Sequence, residues 1–184
     1  VTNNLCALGV GRVVALGAIG ADGHGHDLRV GLESTGVDTT YLIASPDRST
    51  PTYTKPIDIA TGKELSRLDV KNRAITSDAI QEALIDGLVD LYGQADGIIV
   101  LDQVHEPDCG VITTKVRDRL AELAASNDRP VLADSRAHID RFRNTILKPN
   151  TDELASLIDD VADPLSAALD LSRQTKRPVI LTRG

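Results

Sequence analysis

Methionine and tryptophan are both missing from the 184 residues, and the aromatic side chains amount to one Phe and three Tyr. With so few rings there is little from which to build a base-stacking platform for single-stranded nucleic acid. Long runs of like charge are missing as well. The formal net charge is −7 and the Lys and Arg residues are scattered, so no basic stripe offers itself to nucleic acid or to an anionic membrane. No apolar run approaches the roughly 20 residues of a membrane-crossing helix, and no charged-then-apolar leader opens the chain. Cysteine is scarce: Cys6 and Cys109 lie far apart, outside any metal-ligand spacing. That predicts two reduced thiols in a cytoplasmic protein.

Several familiar signatures are absent too. There is no G-x-S-x-G elbow and no Walker loop, which leaves a serine hydrolase or P-loop enzyme without support. "GAIGADGHG" follows a strand pattern and opens a helix, but Gly17, Gly20 and Gly23 give G-x-x-G-x-x-G rather than the dinucleotide G-x-G-x-x-G. The acid expected after the next strand is lacking in "TTYLIAS", so a nicotinamide cofactor is not predicted. His24 and His26, two apart on a helix, point to different faces and gather no carboxylates; they read as a solvated helix start. His105 and Asp108 in "DQVHEPDC" sit where they could line a pocket but specify no chemistry.

What is present is enough apolar residue, 41%, for one real core, hence one domain or most of one. "VTNNLCALG" reads as the back half of a helix closed by Gly9, and "PVILTRG" as a buried strand ending on glycine. With both ends reading as cut and no methionine to start it, the chain is expected to be a fragment of a longer protein. Between those ends, periodicity predicts a strand at 12–17, a helix over 22–34 with Leu28 and Leu32 inward, and a strand at 40–44. "TPTYTKPIDIA" and "ELSRLDV", joined by Thr61-Gly62-Lys63, predict a β-hairpin outside the main core. Helices about 77–92, 110–125, 138–143, from 151, and 163–176 then alternate with strands 97–101, 130–134, 145–149 and 178–182. The fold class is therefore α/β, a mostly parallel sheet covered by helices on both faces.

Ligands of such sheets bind beyond the carboxyl ends of the strands. Those ends are polar here: Asp102, Asp134-Ser135-Arg136, Asn150 and Thr182-Arg183-Gly184. For Asp102 and Asp134 a cap or turn role is an equal alternative. In "ILKPNTDELASLI", Asn150 followed three residues later by Glu153 is the spacing of a capping box, and acids in that first turn suit the helix dipole. Capping accounts for the spacing by itself.

Taken together, these stretches resemble the PfkB (ribokinase-like) sugar kinases. "VVALGAIGADGHGHDLRVGLESTGVDTTYL" carries the G-x-D-x-x-G of Gly20, Asp22 and Gly25, the spaced Leu28 and Leu32, and the G-V-D of Gly36, Val37 and Asp38. "TPTYTKPIDIATGKELSRLD" is similar to the hairpin lid of the branch that phosphorylates heptose 7-phosphate, with Pro51, Thr52, Lys55, Leu65, Arg67 and Asp69 in its pattern. "VLADSR" and "TILKPNTDE" resemble that branch's D-P-K and T-P-N-x-x-E. Departures exist: Arg136 stands where the branch has Lys, and the usual lysine after the Asp102 position is missing.

The resemblance implies an ATP-dependent sugar or sugar-phosphate kinase using Mg2+, with residues 40–69 as its β lid. It implies ATP and phosphate contacts at Asn150, Thr151, Asp152, Glu153, Thr182 and Gly184, with Asn150 and Glu153 serving magnesium through water. Lys55, Arg67, Asp102, Asp134 and Arg136 would meet the sugar or its phosphate. The lid is also the surface through which two copies would pair. The family's double-glycine sugar loop is expected before Val1. Its G-A-G-D, whose Asp is the general base and whose helix start forms an anion hole, is expected beyond Gly184, so the chain by itself is expected to be inactive. A non-catalytic sugar- or nucleotide-sensing domain of the same fold is the alternative, and the residue after that G-A-G distinguishes the two.

Overall fold

A computed structural model describes residues 1–155 and 163–183 and divides the chain into two compact units, Val1–Ala74 with Asp78–Leu84, and Ile75–Ser77 with Ile85–Gly184. Among the described residues no helix is long and apolar enough to cross a membrane.

In the first unit, α1 (Thr2–Ala7) runs into Leu8 and is followed by Gly9 at φ +81°, the left-handed position that glycine occupies without a Cβ clash. The strands β1 (Gly17–Gly20) and β2 (Leu42–Ser45) pair in parallel from Gly17↔Leu42 to Gly20↔Ser45. Both lie later than periodicity predicts. The apolar run does begin the ladder, since Asp38 N–H donates to Val13 O and Ala15 N–H to Asp38 O, both at 2.9 Å. The next amide, Thr40 N–H, turns back to the Asp38 side chain at 3.0 Å. That turn inserts an extra residue and restarts the ladder at Gly17 and Leu42.

Between these strands lies α2 (Gly23–Ser34), capped by Asp22, whose carboxylate accepts from Gly25 N–H. Leu32 is half-buried, but Leu28 is exposed, a correction to the predicted inward pair. The face that turns inward holds Gly25, Arg29 and Leu32, spaced i, i+4, i+7. Arg29 occupies the place a leucine would, donating to Thr39 O, Thr39 Oγ1 and Leu42 O.

The hairpin forms as predicted. Strands β3 (Thr52–Thr54) and β4 (Leu68–Val70) pair antiparallel, Thr52↔Val70 to Thr54↔Leu68. Gly62, at φ +66°, supplies the left-handed residue of its turn.

In α3 (Asp78–Gln94), Ile80, Leu84, Leu88 and Leu91 form a buried stripe at helical spacing. The second unit is built on β5 (Ile98–Asp102), β6 (Val131–Ser135) and β7 (Ile146–Leu147), a parallel sheet in the order β5-β6-β7. Helix α4 (Thr114–Ala125) joins β5 to β6, and α5 (Thr151–Ala155) and α6 (Pro164–Thr175) follow β7. Thr113 caps α4, accepting from Val116 N–H, so that helix starts a turn later than predicted; Asp163 caps α6 with Pro164 at its first position. The short helix predicted at 138–143 is a single 3-10 turn, Ile139–Arg141.

Residues 178–182 run beside β7 without becoming a continuous strand. Leu147 N–H donates to Pro178 O, Ile180 N–H to Leu147 O, and Thr182 N–H to Pro149 O. The missing rung belongs to Pro149, which has no N–H to give.

Candidate active site

The polar residues beyond β5, β6 and β7 gather at the carboxyl ends of one parallel sheet. The helical segment after β7 is held from both sides: Pro149 is fully buried, and Leu154, at 0% exposure, packs with Ala167, Ala168, Leu171, Val179 and Leu181. Between those anchors Asn150 and Glu153 form a complete capping box. Asn150 N–H donates to Glu153 Oε2 at 2.9 Å and Glu153 N–H to Asn150 Oδ1 at 2.7 Å. A parallel bridge sets Thr182 beside Asn150, with Thr182 Oγ1 3.4 Å from Pro149 O. Thr151 and Glu153 are half-buried and Asp152 is exposed. The structure thus brings together Asn150, Glu153 and Thr182, three of the residues named for nucleotide phosphates; Gly184 lies outside the described residues.

One strand over, Asp134 is joined to Lys148 at 3.1 Å, both half-buried. The register places them side by side, because Ala133 pairs with Leu147 and Lys148 N–H donates to Ala133 O at 2.9 Å. Sequence reasoning passed over Lys148 as the end of an apolar run.

Asp102 is placed differently from an open binding group. Only 4% exposed, it accepts from Ser135 Oγ–H at 2.7 Å, and Ser135 Oγ in turn accepts from His138 N–H at 3.0 Å. Arg136 N–H donates to Asp102 O at 3.0 Å. His138 Nε2 lies 3.1 Å from His105 O, a bond that requires the ring proton on Nε2. Burial pushes the Asp102 carboxyl above the ordinary carboxylate value, opposed by the bond from Ser135 and by the charges of His138 and Arg117. Asp102 and Ser135 therefore fix the loop that presents Arg136, whose own side chain is exposed. Ser135, fully buried, stood among the polar strand ends in the sequence, but its bond to Asp102 follows only from the pairing of β5 with β6.

On the hairpin, strand alternation puts Tyr53, Lys55, Arg67 and Asp69 on one face. Arg67 holds Asp69 with two bonds, Nε to Oδ1 at 2.6 Å and Nη2 to Oδ2 at 2.8 Å, and lies over the Tyr53 ring at 5.2 Å. Lys55 Nζ meets Glu64 Oε1 at 2.8 Å. Such exposed pairs contribute only about 0–1 kcal/mol, so neither prevents a cation from meeting an incoming anion. The opposite face carries Leu68 and Val70, both exposed.

Among the described residues no three His, Cys, Asp or Glu gather as a metal-holding group. Magnesium does not require one: it takes one or two carboxylates, keeps several waters, and shares phosphate oxygens. The amide oxygen of Asn150 and the carboxylate of Glu153 are hard oxygen donors fixed in place by their mutual bonds, and they fit that mode of binding.

Comparison with known proteins gives the family and the fold. The family model described as pfkB family carbohydrate kinase matches residues 1–184. The Bifunctional protein HldE of Nitrobacter winogradskyi is 30% identical over 179 residues, covering 94% of this chain and 36% of that protein. That of Bradyrhizobium diazoefficiens is 24% identical over 191 residues, covering 100% and 38%. The chain thus spans about a third of the length of these relatives. Among solved structures, the PfkB protein from Polaromonas sp. JS666 superposes with a TM-score of 0.70 at 18% identity, covering 100% of this chain and 65% of that one. A protein from E. coli described as a ribokinase II, solved in complex with ATP and Mg2+, gives 0.67 at 15% identity, covering 99% and 59%. These likenesses show the ribokinase-like fold.

Proposed function

This chain belongs to the pfkB family of carbohydrate kinases, and from that premise we propose that it is the central part of a single kinase domain that moves the γ-phosphoryl group of ATP to a hydroxyl of a sugar or sugar phosphate. D-glycero-D-manno-heptose 7-phosphate is the substrate favoured by the hairpin pattern and by the HldE relatives. The observation that carries the reading is the cluster of Asp134–Lys148, Asn150–Glu153 and Thr182 at the ends of parallel strands.

Phosphoryl transfer asks a protein mainly for positioning and for charge stabilisation. Asn150 and Glu153 would hold magnesium through water, and the cation, when bound, neutralises charge on the phosphate oxygens. Thr151, Asp152, Thr182 and Gly184 complete the nucleotide side in this reading. Lys148, already balanced by Asp134, adds a cation beside it, and Arg136 is offered to the sugar side by the loop that Asp102 and Ser135 fix. Residues 40–69 act as the lid. Lys55 and Arg67 meet the sugar or its phosphate and exclude water on closure, while Leu68 and Val70, on the reverse face, pair two copies through their lids. The general base belongs to the family's G-A-G-D, outside this chain, and the enzyme acts in the cytoplasm. The test is ADP release by a complete kinase polypeptide containing this chain, supplied with ATP, Mg2+ and heptose 7-phosphate. Turnover dependent on the sugar supports the reading; ADP release indifferent to a panel of sugars and sugar phosphates contradicts it.

A further inference from the structure

One carboxylate ties the start of α2 to the base of the hairpin. Asp22 Oδ1 accepts from Gly25 N–H and from the Thr50 hydroxyl, both at 2.8 Å, and Asp22 Oδ2 accepts from Thr50 N–H at 2.9 Å. The Thr50 hydroxyl oxygen also accepts from Gly20 N–H at 2.9 Å. Thr50 is 4% exposed and lies two residues before β3, so β1, α2 and the entry to the hairpin meet at a single side chain. The approach is close enough to require glycine on two sides. A Cβ at Gly20 would lie 2.7 Å from both Arg48 O and Thr50 N, and one at Gly25 would lie 2.9 Å from Thr50 Oγ1.

The exit of the hairpin is fastened to its entry. Two residues beyond β4, Asn72 accepts from Ser49 N–H at 3.0 Å and donates to Ser49 O at 2.8 Å. Farther out the restraint ends: residues 63–70 are all exposed, and Ile59 is 99% exposed. A base tied by bonds that converge on the buried Thr50 and an exposed blade beyond it are the two parts of a hinge.

We propose that Asp22, through Thr50, is a positioning residue for lid closure, setting the angle from which the hairpin descends on the sugar. Asn72 braces that root. The proposal rests on the sugar-kinase reading, and it adds that substrate affinity is governed from α2's cap, by residues that touch no substrate. Removing the Thr50 hydroxyl should loosen the blade and weaken sugar capture while leaving the nucleotide side alone.

The experiment compares Thr50→Val, which keeps the shape but loses both hydroxyl bonds, with Thr50→Ser, which keeps them, in the complete kinase polypeptide. Hydrogen exchange of peptides covering 52–70 is read against peptides from β5 and β6. KM for heptose 7-phosphate is read against KM for ATP. Thr50→Val should speed exchange in the hairpin about tenfold and raise the sugar KM about tenfold, with β5 and β6 exchange and the ATP KM within about twofold of wild type. Thr50→Ser should restore both. If Thr50→Val does not fold, Asn72→Ala carries the test with the same signs and roughly threefold effects. Unchanged hairpin exchange, acceleration spread evenly over the chain, or no recovery in Thr50→Ser would each overturn the proposal. Absence of sugar-dependent turnover in wild type would instead sink the kinase reading, and the exchange data would still decide whether the hinge exists.

Discussion

Asp134 and Lys148 stand side by side on β6 and beyond β7, joined at 3.1 Å with both side chains half-buried. In the proposed enzyme the pair holds a cation at the nucleotide end of the site without leaving a net charge in a partly dry place. Lys148→Ala should raise the ATP KM about tenfold, and Lys148→Arg should recover part of the loss. A change confined to thermal stability, with ATP kinetics unmoved, would make the pair a structural strut.

The hairpin offers a second split. Arg67→Ala should raise the sugar KM while barely moving that of ATP, and stability should stay within about 0.5 kcal/mol, as for most exposed substitutions. On the reverse face, Leu68→Asp should turn a sedimenting dimer into a monomer. A fall in ATP affinity in the first variant, or an unchanged sedimentation coefficient in the second, would show the faces to be misassigned.

Much of this was legible in the sequence because it is local. Gly9 and Gly62 mark turns that need positive φ, and Asn150 and Glu153 announce a capping box by spacing alone, whereas the cap at Thr113 was missed by a turn. What was not legible depends on register. Lys148 becomes a site candidate only when β6 and β7 set it beside Asp134. For Asp102 a ligand role and a cap or turn role stand level in the sequence, because its burial under Ser135 follows from the pairing of β5 with β6. Strand 178–182 was overcalled because an apolar pattern does not reveal that its neighbour, Pro149, lacks a donor.

Two aspartates should titrate with opposite signs. Bonds from Thr50 N–H, then Gly25 N–H and the Thr50 hydroxyl, hold Asp22 below its ordinary value of 3.8. Its contribution to stability is therefore full above that value and is lost as pH falls through the lowered one. Asp102 is pushed above 3.8, first by burial, so its contribution is full below that value and is lost as pH rises through the raised one. Melting curves between about pH 3 and about pH 7 check this. The deficit of Asp22→Asn relative to wild type should shrink toward acid, and the relative stability of Asp102→Asn should improve toward neutral. Parallel curves for wild type and both variants would refute the assignment.

The 184-residue chain expressed alone should release no ADP in response to sugar, because the proposed base and anion hole lie outside it. Groups of those kinds each typically supply about 100-fold or more in rate. Sugar-dependent turnover by the purified chain would move the catalytic machinery inside these residues.

The sharpest measurement returns to Glu153. As a cap and nothing else, it should tolerate Glu153→Gln almost silently, because glutamine serves that position of a capping box about as well. As a group serving magnesium and phosphate, it loses its negative charge and keeps its shape. A magnesium titration and a thermal melt on this one variant of the complete kinase decide between the two. The account predicts a kcat lowered tenfold or more, about 1.4 kcal/mol or above in the barrier, a higher magnesium concentration for half-activity, and a melting temperature close to wild type. Unchanged kcat with unchanged magnesium dependence would contradict it and leave Asn150 and Glu153 as a helix cap.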